Sequence, residues 1–364
     1  MKTNLIYILG MMCLSGTVSA QTTVNYTEFE QKVLDYSQTL KQSVSQRTAM
    51  QKAMKAAKTA FFPAVDATGS YQYRINKYDM DFGGMAVPME HDSYSAEVGV
   101  VQPIYAGGSI YHTYKASQIQ SQIADKSVDL TTDNLIYAAE ASYWGTAAQK
   151  EMYKTMCQYV EIISQLTKVL QDKYDDGYIS KTDLIQMQTR LKEAELQRSS
   201  SYQSYQIALQ NMNVLMGLEP DKEVGLVDSI FVELPLPAYV GADAALNVRP
   251  DYAISQLDVD YQKRQVKLAA AKYNPSLSIG FKETWGTQML NISGETMFNS
   301  NVYASVKLPL FHWGARFKST AAQKAILLGK QYALQDKQDQ ITKEVAKAWT
   351  SLTENTRQID IAKE

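Results

Sequence analysis

Apolar residues recur every three or four positions along most of this chain, and in four short stretches they alternate instead. From 109 to 176 only Gly145 interrupts the helical pattern, which makes a run of about 68 residues, or about 100 Å at 1.5 Å per residue. No globular core needs a helix of that length. Along it, Met152, Met156, Tyr159, Ile163, Leu166 and Leu170 keep a spacing of 4, 3, 4, 3, 4. Beyond a break, Leu184, Met187, Leu191 and Ala194, then Tyr202, Tyr205, Leu209, Met212 and Met216, continue it. This is the a/d seam of a coiled coil, so the pattern predicts a helical hairpin. The return helix (183–216) and an N-terminal helix (26–62) have about 34 and 37 residues. Together they match the long one, as though two short helices stacked along it.

The break reads KYDDGYISKTDL, from Lys173 to Leu184. Gly177 can take the left-handed conformation that ends a helix. Ser180 or Thr182 can cap the next helix, and Asp183 favours its first turn.

The alternating stretches come in a repeat. KAAKTAFFPAVDATGSYQY (55–73) aligns with KLAAAKYNPSLSIGFKETW (267–285), Pro63 on Pro275. VVQPIYAGG (100–108) aligns with VKLPLFHWG (306–314), Pro103 on Pro309 and Gly108 on Gly314. The order helix, Pro, strand, loop, strand, Pro, aromatic, Gly, helix therefore occurs twice, and Pro63, Pro103, Gly108, Pro275, Pro309 and Gly314 mark the strand–helix transitions. In the first strand Val65, Ala67, Gly69, Tyr71 and Tyr73 share a face. In the second it is Tyr94, Ala96, Val98 and Val100, in the third Leu277, Ile279, Phe281 and Trp285, and in the fourth Val302, Ala304, Val306 and Leu308. Alternation alone fits a half-buried soluble sheet as well as a membrane barrel strand. Long polar loops over 75–92 and 286–300, short Pro-marked turns at the other end, and aromatics near strand ends favour the barrel. Four strands leave two edges that need partners. Three copies would supply twelve strands, an even number within the range of outer-membrane barrels.

Composition adds limits. The formal net charge is −2, with both signs interspersed along helices, which points to no nucleic-acid partner. Lys2, an apolar run over 5–14 and the small-residue ending Val-Ser-Ala at 18–20 read as a secretory leader cut before Gln21. The run is too short for a comfortable membrane anchor. Met12 ahead of Cys13 does not fit a lipoprotein site. After cleavage Cys157 remains, with no partner for a disulfide, and reads as a packing residue. There is no phosphate loop, no zinc or serine-hydrolase motif, and the histidines (His91, His112, His312) are scattered, so the chain reads as no enzyme and calls for no cofactor.

In AAKTAFFPAVDATGSY, VVQPIYAGG, KYDDGYISKTDL, NVLMGLEP, AAAKYNPSLSIGF and VKLPLFHWG, taken in order, the chain resembles the TolC-like outer-membrane efflux proteins over essentially its whole mature length. The resemblance implies a mainly α fold with β: long coiled-coil hairpins plus four antiparallel strands given to a trimeric twelve-stranded outer-membrane barrel. It also implies a homotrimer in outer-membrane lipid, passing cargo from an inner-membrane pump of the RND, ABC or MFS type through a periplasmic adaptor. The alternatives are a periplasmic adaptor, or another coiled-coil envelope protein without channel activity. An adaptor has one hairpin flanked by lipoyl-like halves and lacks two strand-pair repeats.

The implied parts are a leader (1–20), an N-terminal periplasmic helix (21–62), a first strand pair with its outer loop (63–108), a first hairpin (109–216, tip 176–182), a mixed segment (217–250), a helix of the second repeat (251–274), a second strand pair (275–309) and a second long helix (310–364). By the same resemblance Asp176, Gly177, Tyr178, Ile179 and Ser180 would meet the adaptor, and Thr182 and Asp183 would hold a gate. The family's tip usually follows Gly with an aliphatic residue, so Tyr178 departs from it. By the internal repeat, a second tip and return helix are expected to follow Glu364, leaving Ile341, Val345 and Trp349 partly exposed.

Overall fold

The computed structural model describes residues 22–364 except 77, 78, 82, 85, 89, 233, 234 and 288–293. The leader at 1–20 and parts of both strand-connecting loops lie outside the described residues. In chain order the elements are β1 (Thr22–Val24), α1 (Tyr26–Tyr36), α2 (Gln38–Thr59), β2 (Ala64–Tyr73), β3 (Asp79–Asp81), β4 (Ala86–Pro88), β5 (Asp92–Ala106), α3 (Ser109–Asp175), α4 (Lys181–Leu215), β6 (Val224–Leu226), α5 (Ala242–Val248), α6 (Pro250–Ala271), β7 (Ser276–Gly286), β8 (Met297–Lys307) and α7 (Ala315–Lys363). Among the described residues no helix is long and apolar enough to cross a membrane. Two units form, one from the chain up to Gln38 with Asp133–Leu234, the other from Thr39–Thr132 with Pro235–Glu364.

In the first unit, β1 lies parallel to β6. Val24, Phe29 and Val33 join Ala139, Tyr143 and Ala147 of α3 and Leu209 and Met212 of α4 in one core. Tyr143 is fully buried. Its hydroxyl lies 2.7 Å from Asp228 Oδ2 and 3.1 Å from the Val24 carbonyl oxygen. The same carboxylate accepts from the Tyr26 backbone N–H at 2.7 Å. Burial, then the bond to Asp228, pushes the Tyr143 phenol well above its usual range.

The seam between α3 and α4 is rotated from the expected one. Met156, Ile163 and Leu170 turn inward, but Met152, Tyr159 and Leu166 are exposed. Their places are taken by Tyr153, Val160 and Thr167, and the Tyr153 ring packs 5.1 Å from that of Tyr202 and stacks at 6.4 Å on that of Tyr205. Helix α3 carries two apolar stripes one residue apart, about 100° around the axis, and α4 covers only one of them.

The single helix expected over 26–62 is two, parted at Ser37 (φ −47°, ψ 116°). Phe29 and Val33 of α1 are core, whereas α2 has no buried residue. Tyr36 packs so closely on Gly217 that a Cβ there would sit 2.3 Å from its ring. Packing therefore fixes the end of α1.

In the second unit, an antiparallel sheet runs β2-β5-β7-β8, so the two repeats meet through the central pair β5–β7. Register puts Val65, Val100, Phe281 and Val302 in one cross-strand row and Ala96, Trp285 and Phe298 in another. The opposite face carries Ser70 bonded to Ser95 at 2.9 Å and a Lys282–Glu97 ion pair. Every residue of β2 and β8 is exposed, and among the described residues each of these strands has one neighbour. A short β3–β4 ladder occupies part of the expected outer loop.

Helices α6 and α7 pack through Gln262 and Gln323 (2.8 Å) and Lys330 and Asp258 (2.7 Å). Arg249 joins Asp251 (2.8 Å) to Glu344 (2.6 Å). Ile341 is fully buried, and Trp349 meets Tyr239 edge-on at 5.1 Å. This corrects the expected exposure of Ile341, while Val345 and Trp349 stay partly exposed as expected; α7 packs against α6 and against α5, which lies inside the segment read as mixed.

Candidate functional site

The hairpin tip is built by two helix caps. At the end of α3, Gly177 is left-handed (φ 80°). The Tyr178 N–H reaches the Lys173 carbonyl at 2.8 Å and the Gly177 N–H reaches that of Tyr174 at 3.0 Å, the paired bonds of a Schellman ending. Three carboxylates, Asp172, Asp175 and Asp176, crowd this last turn beside one Lys173. There the helix dipole already places partial negative charge.

Tyr178 is the prominent side chain, 80% exposed. Ile179 is half-buried and Asp176 and Ser180 are exposed. Ser180 caps α4: the Asp183 N–H donates to Ser180 Oγ at 3.3 Å, and the Ser180 N–H donates to Asp183 Oδ2 at 3.2 Å. This is a capping box with Asp at its third position. Thr182 sits in the first turn of α4 rather than in the loop. The Asp183 carboxylate is thus engaged by its own helix cap.

At the sheet, Pro63 and Pro275 immediately precede β2 and β7, and Pro309 follows β8. Pro103 differs: it lies inside β5, where the register shifts between Pro103 and Tyr105. A proline has no N–H for the ladder, so the strand bulges there and resumes. The strand-to-helix turns match between the repeats. Gly107 and Gly108 have φ 65° and 88°, and their counterparts Trp313 and Gly314 have φ 48° and 72°. A tryptophan in this region carries strain of about 1–3 kcal/mol.

Sequence reasoning missed one lock. The Asn274 side chain donates to the Gly107 carbonyl at 2.9 Å. A Cβ on Gly107 would lie 2.6 Å from the Ala271 carbonyl oxygen. The strand–helix turn of the first repeat is clasped by the helix–strand turn of the second. The Gly-Gly and Asn-Pro pairs were visible in the sequence, but their pairing needed the sheet order.

The sequence matches the family described as outer membrane efflux protein over residues 30–218 and 241–364. The chain belongs to this family. The proteins of this family are outer-membrane channels and not enzymes. It is 21% identical over 278 residues to the alkaline protease secretion protein AprF of Pseudomonas aeruginosa, a match covering 74% of this chain and 57% of AprF. Among solved structures, CusC superposes with a TM-score of 0.78 at 13% identity, over 94% of this chain and 79% of CusC. The outer membrane protein VceC of Vibrio cholerae gives 0.78 at 14%, over 92% and 80%. The CmeC outer membrane channel of Campylobacter jejuni gives 0.72 at 16%, over 93% and 75%. These likenesses establish the fold: mainly helical, with antiparallel strands.

Proposed function

We propose that three copies of this efflux-family chain share one twelve-stranded barrel and form the outer-membrane duct of a tripartite export system. The observation that carries this is the four-stranded sheet, with an exposed apolar face and an unpaired strand at each edge among the described residues. An edge strand left open invites pairing with another chain, and a closed barrel is the strand arrangement a bilayer accepts. Cargo would pass from a pump of the RND, ABC or MFS type through a periplasmic adaptor. The likeness to AprF, an alkaline protease secretion protein, supports including an exported polypeptide among the proposed cargo. Cross-linking in native membranes is expected to give a trimer, seen as a heat-modifiable band in outer-membrane fractions. Monomer and dimer alone would end the proposal.

The tip residues Asp176, Gly177, Tyr178, Ile179 and Ser180 are proposed to dock the adaptor, with the acidic last turn of α3 favouring a basic partner surface. Gly177→Val should cost about 1–2 kcal/mol locally through the left-handed backbone. Nothing lies within 4 Å of the added Cβ, so the barrel should assemble while efflux falls. Undiminished drug efflux would remove the tip from docking.

Thr182 and Asp183 are proposed to hold a gate, and two substitutions separate that role from capping. Asp183→Ala loses the charge and the carboxylate's half of the capping box, at most about 1 kcal/mol, while Ser180 still caps the backbone N–H of residue 183. Asp183→Asn keeps an acceptor for the Ser180 N–H. A gate charge predicts higher conductance in planar bilayers for both variants. A rise confined to Asp183→Ala assigns Asp183 to the cap alone.

A further inference from the structure

The first turns of α3, the last turns of α6 and the neighbouring α7 border a groove of about 530 Å³. Four of its ten lining residues are cationic (Lys115, Lys263, Arg264 and Lys267) and only Asp260 is acidic. Asp260 is already taken by Lys263 at 2.8 Å, and Lys115 donates to the neutral Gln118 at 3.0 Å. Among the described residues no carboxylate pairs with Lys115, Arg264 or Lys267. Arg264 is half-buried, so solvent compensates its charge only in part. The excess reaches a neighbour: the His112 imidazole is held below its ordinary value by burial first, then by Lys267 and Arg264.

The groove also sits at a defined depth. Lys267 and Lys115 lie about 6 Å and 9 Å along their helices from the ends that meet the sheet. Between sheet and helices, Leu310, Phe311 and Trp313 are exposed, an apolar and aromatic cluster of the kind that marks a membrane boundary. A headgroup layer is about 5–8 Å thick on each side of the hydrocarbon, which brings it level with these cations.

We propose that this groove binds a phosphate-bearing anion, supplied by an anionic phospholipid headgroup or by free phosphate. A guanidinium offers two parallel N–H groups to phosphate oxygens, and the two lysines add point charges on either side. Basic pockets between helices beside a membrane take lipid headgroups in this way. The lipid as source rests on the barrel proposal; the anion chemistry does not.

The test is calorimetric titration of the full chain in neutral detergent with dihexanoyl phosphatidylglycerol and, separately, with inorganic phosphate. Wild type should bind at least one probe, Arg264→Gln/Lys267→Gln should weaken binding tenfold or more, and Arg264→Lys/Lys267→Arg should restore most of it. Lys115→Gln, a milder change, should weaken it several-fold and serves if the double variant fails to fold. Binding of the lipid undisturbed by phosphate identifies the headgroup as source; phosphate binding with or without a trimer identifies the free anion. No binding of either probe, or equal affinity in Lys115→Gln and every other folded glutamine variant, overturns the proposal.

Discussion

Val302→Arg is expected to abolish the trimer, whereas Asn301→Arg, one residue away, should leave it intact. Both residues are exposed in the middle of β8, so a sheet standing in water would accept either change. The difference arises from the pleat: Val302 shares its face with Val65, Val100 and Phe281, and Asn301 pairs with Lys282 on the polar face. If the apolar face meets lipid, an arginine near the bilayer midplane costs about 2–4 kcal/mol, and it enters three times per trimer. Phe281→Arg on the interior strand β7 should repeat the loss, which separates lipid exposure from damage at the subunit edge. Semi-native gels of outer-membrane fractions report the outcome. Equal trimer in both β8 variants would mean that the apolar face does not meet lipid.

The strands were legible because strict alternation and a duplicated proline frame constrain each other. A one-residue slip in the second strand would have moved Tyr94, Ala96, Val98 and Val100 to the polar face. The sheet order was not legible, since no local signal says that β5 pairs with β7 across repeats. The tip was legible for a local reason: Gly177 is a short-range stop signal at a helix end, and of the two caps left open, Ser180 and Thr182, the helix takes Ser180, whose spacing of three to Asp183 closes a capping box. The seam was not, because Met152 and Tyr153, or Tyr159 and Val160, are adjacent apolar pairs and only the partner helix decides which packs. The break at Ser37 had no Gly or Pro to announce it. It follows from the core around Phe29 and Val33 and from the contact between Tyr36 and Gly217. Ile341 was misjudged for the same kind of reason, since α7 packs on α6 and on α5, a seven-residue helix that composition had not marked.

Gly107→Val should be the most damaging single change at the strand–helix turns, far worse than Gly108→Ala next to it. Both glycines are left-handed, and that alone penalises an L side chain by about 1–2 kcal/mol. Trp313, the counterpart of Gly107 in the second repeat, occupies the same region at φ 48°, so the fold tolerates backbone strain of this size. What separates the two sites is space. A Cβ on Gly108 meets only the edge of the His112 ring, at 3.6 Å, whereas one on Gly107 lies 2.6 Å from the Ala271 carbonyl oxygen and 2.9 Å from Asn274 Cβ. The first of these is backbone and cannot swing aside, and relief would pull Asn274 off the Gly107 carbonyl, losing about 1 kcal/mol more. Strain, overlap and the lost bond place Gly107→Val among the rare substitutions that cost roughly 4 kcal/mol or more. Gly108→Ala should stay within about 2 kcal/mol. Because the clasp joins the two repeats, the loss should appear as failed assembly of the sheet, read as loss of the heat-modifiable band and proteolysis in the membrane fraction. If Gly107→Val and Gly108→Ala prove equally stable, the clasp between the repeats does not hold the sheet.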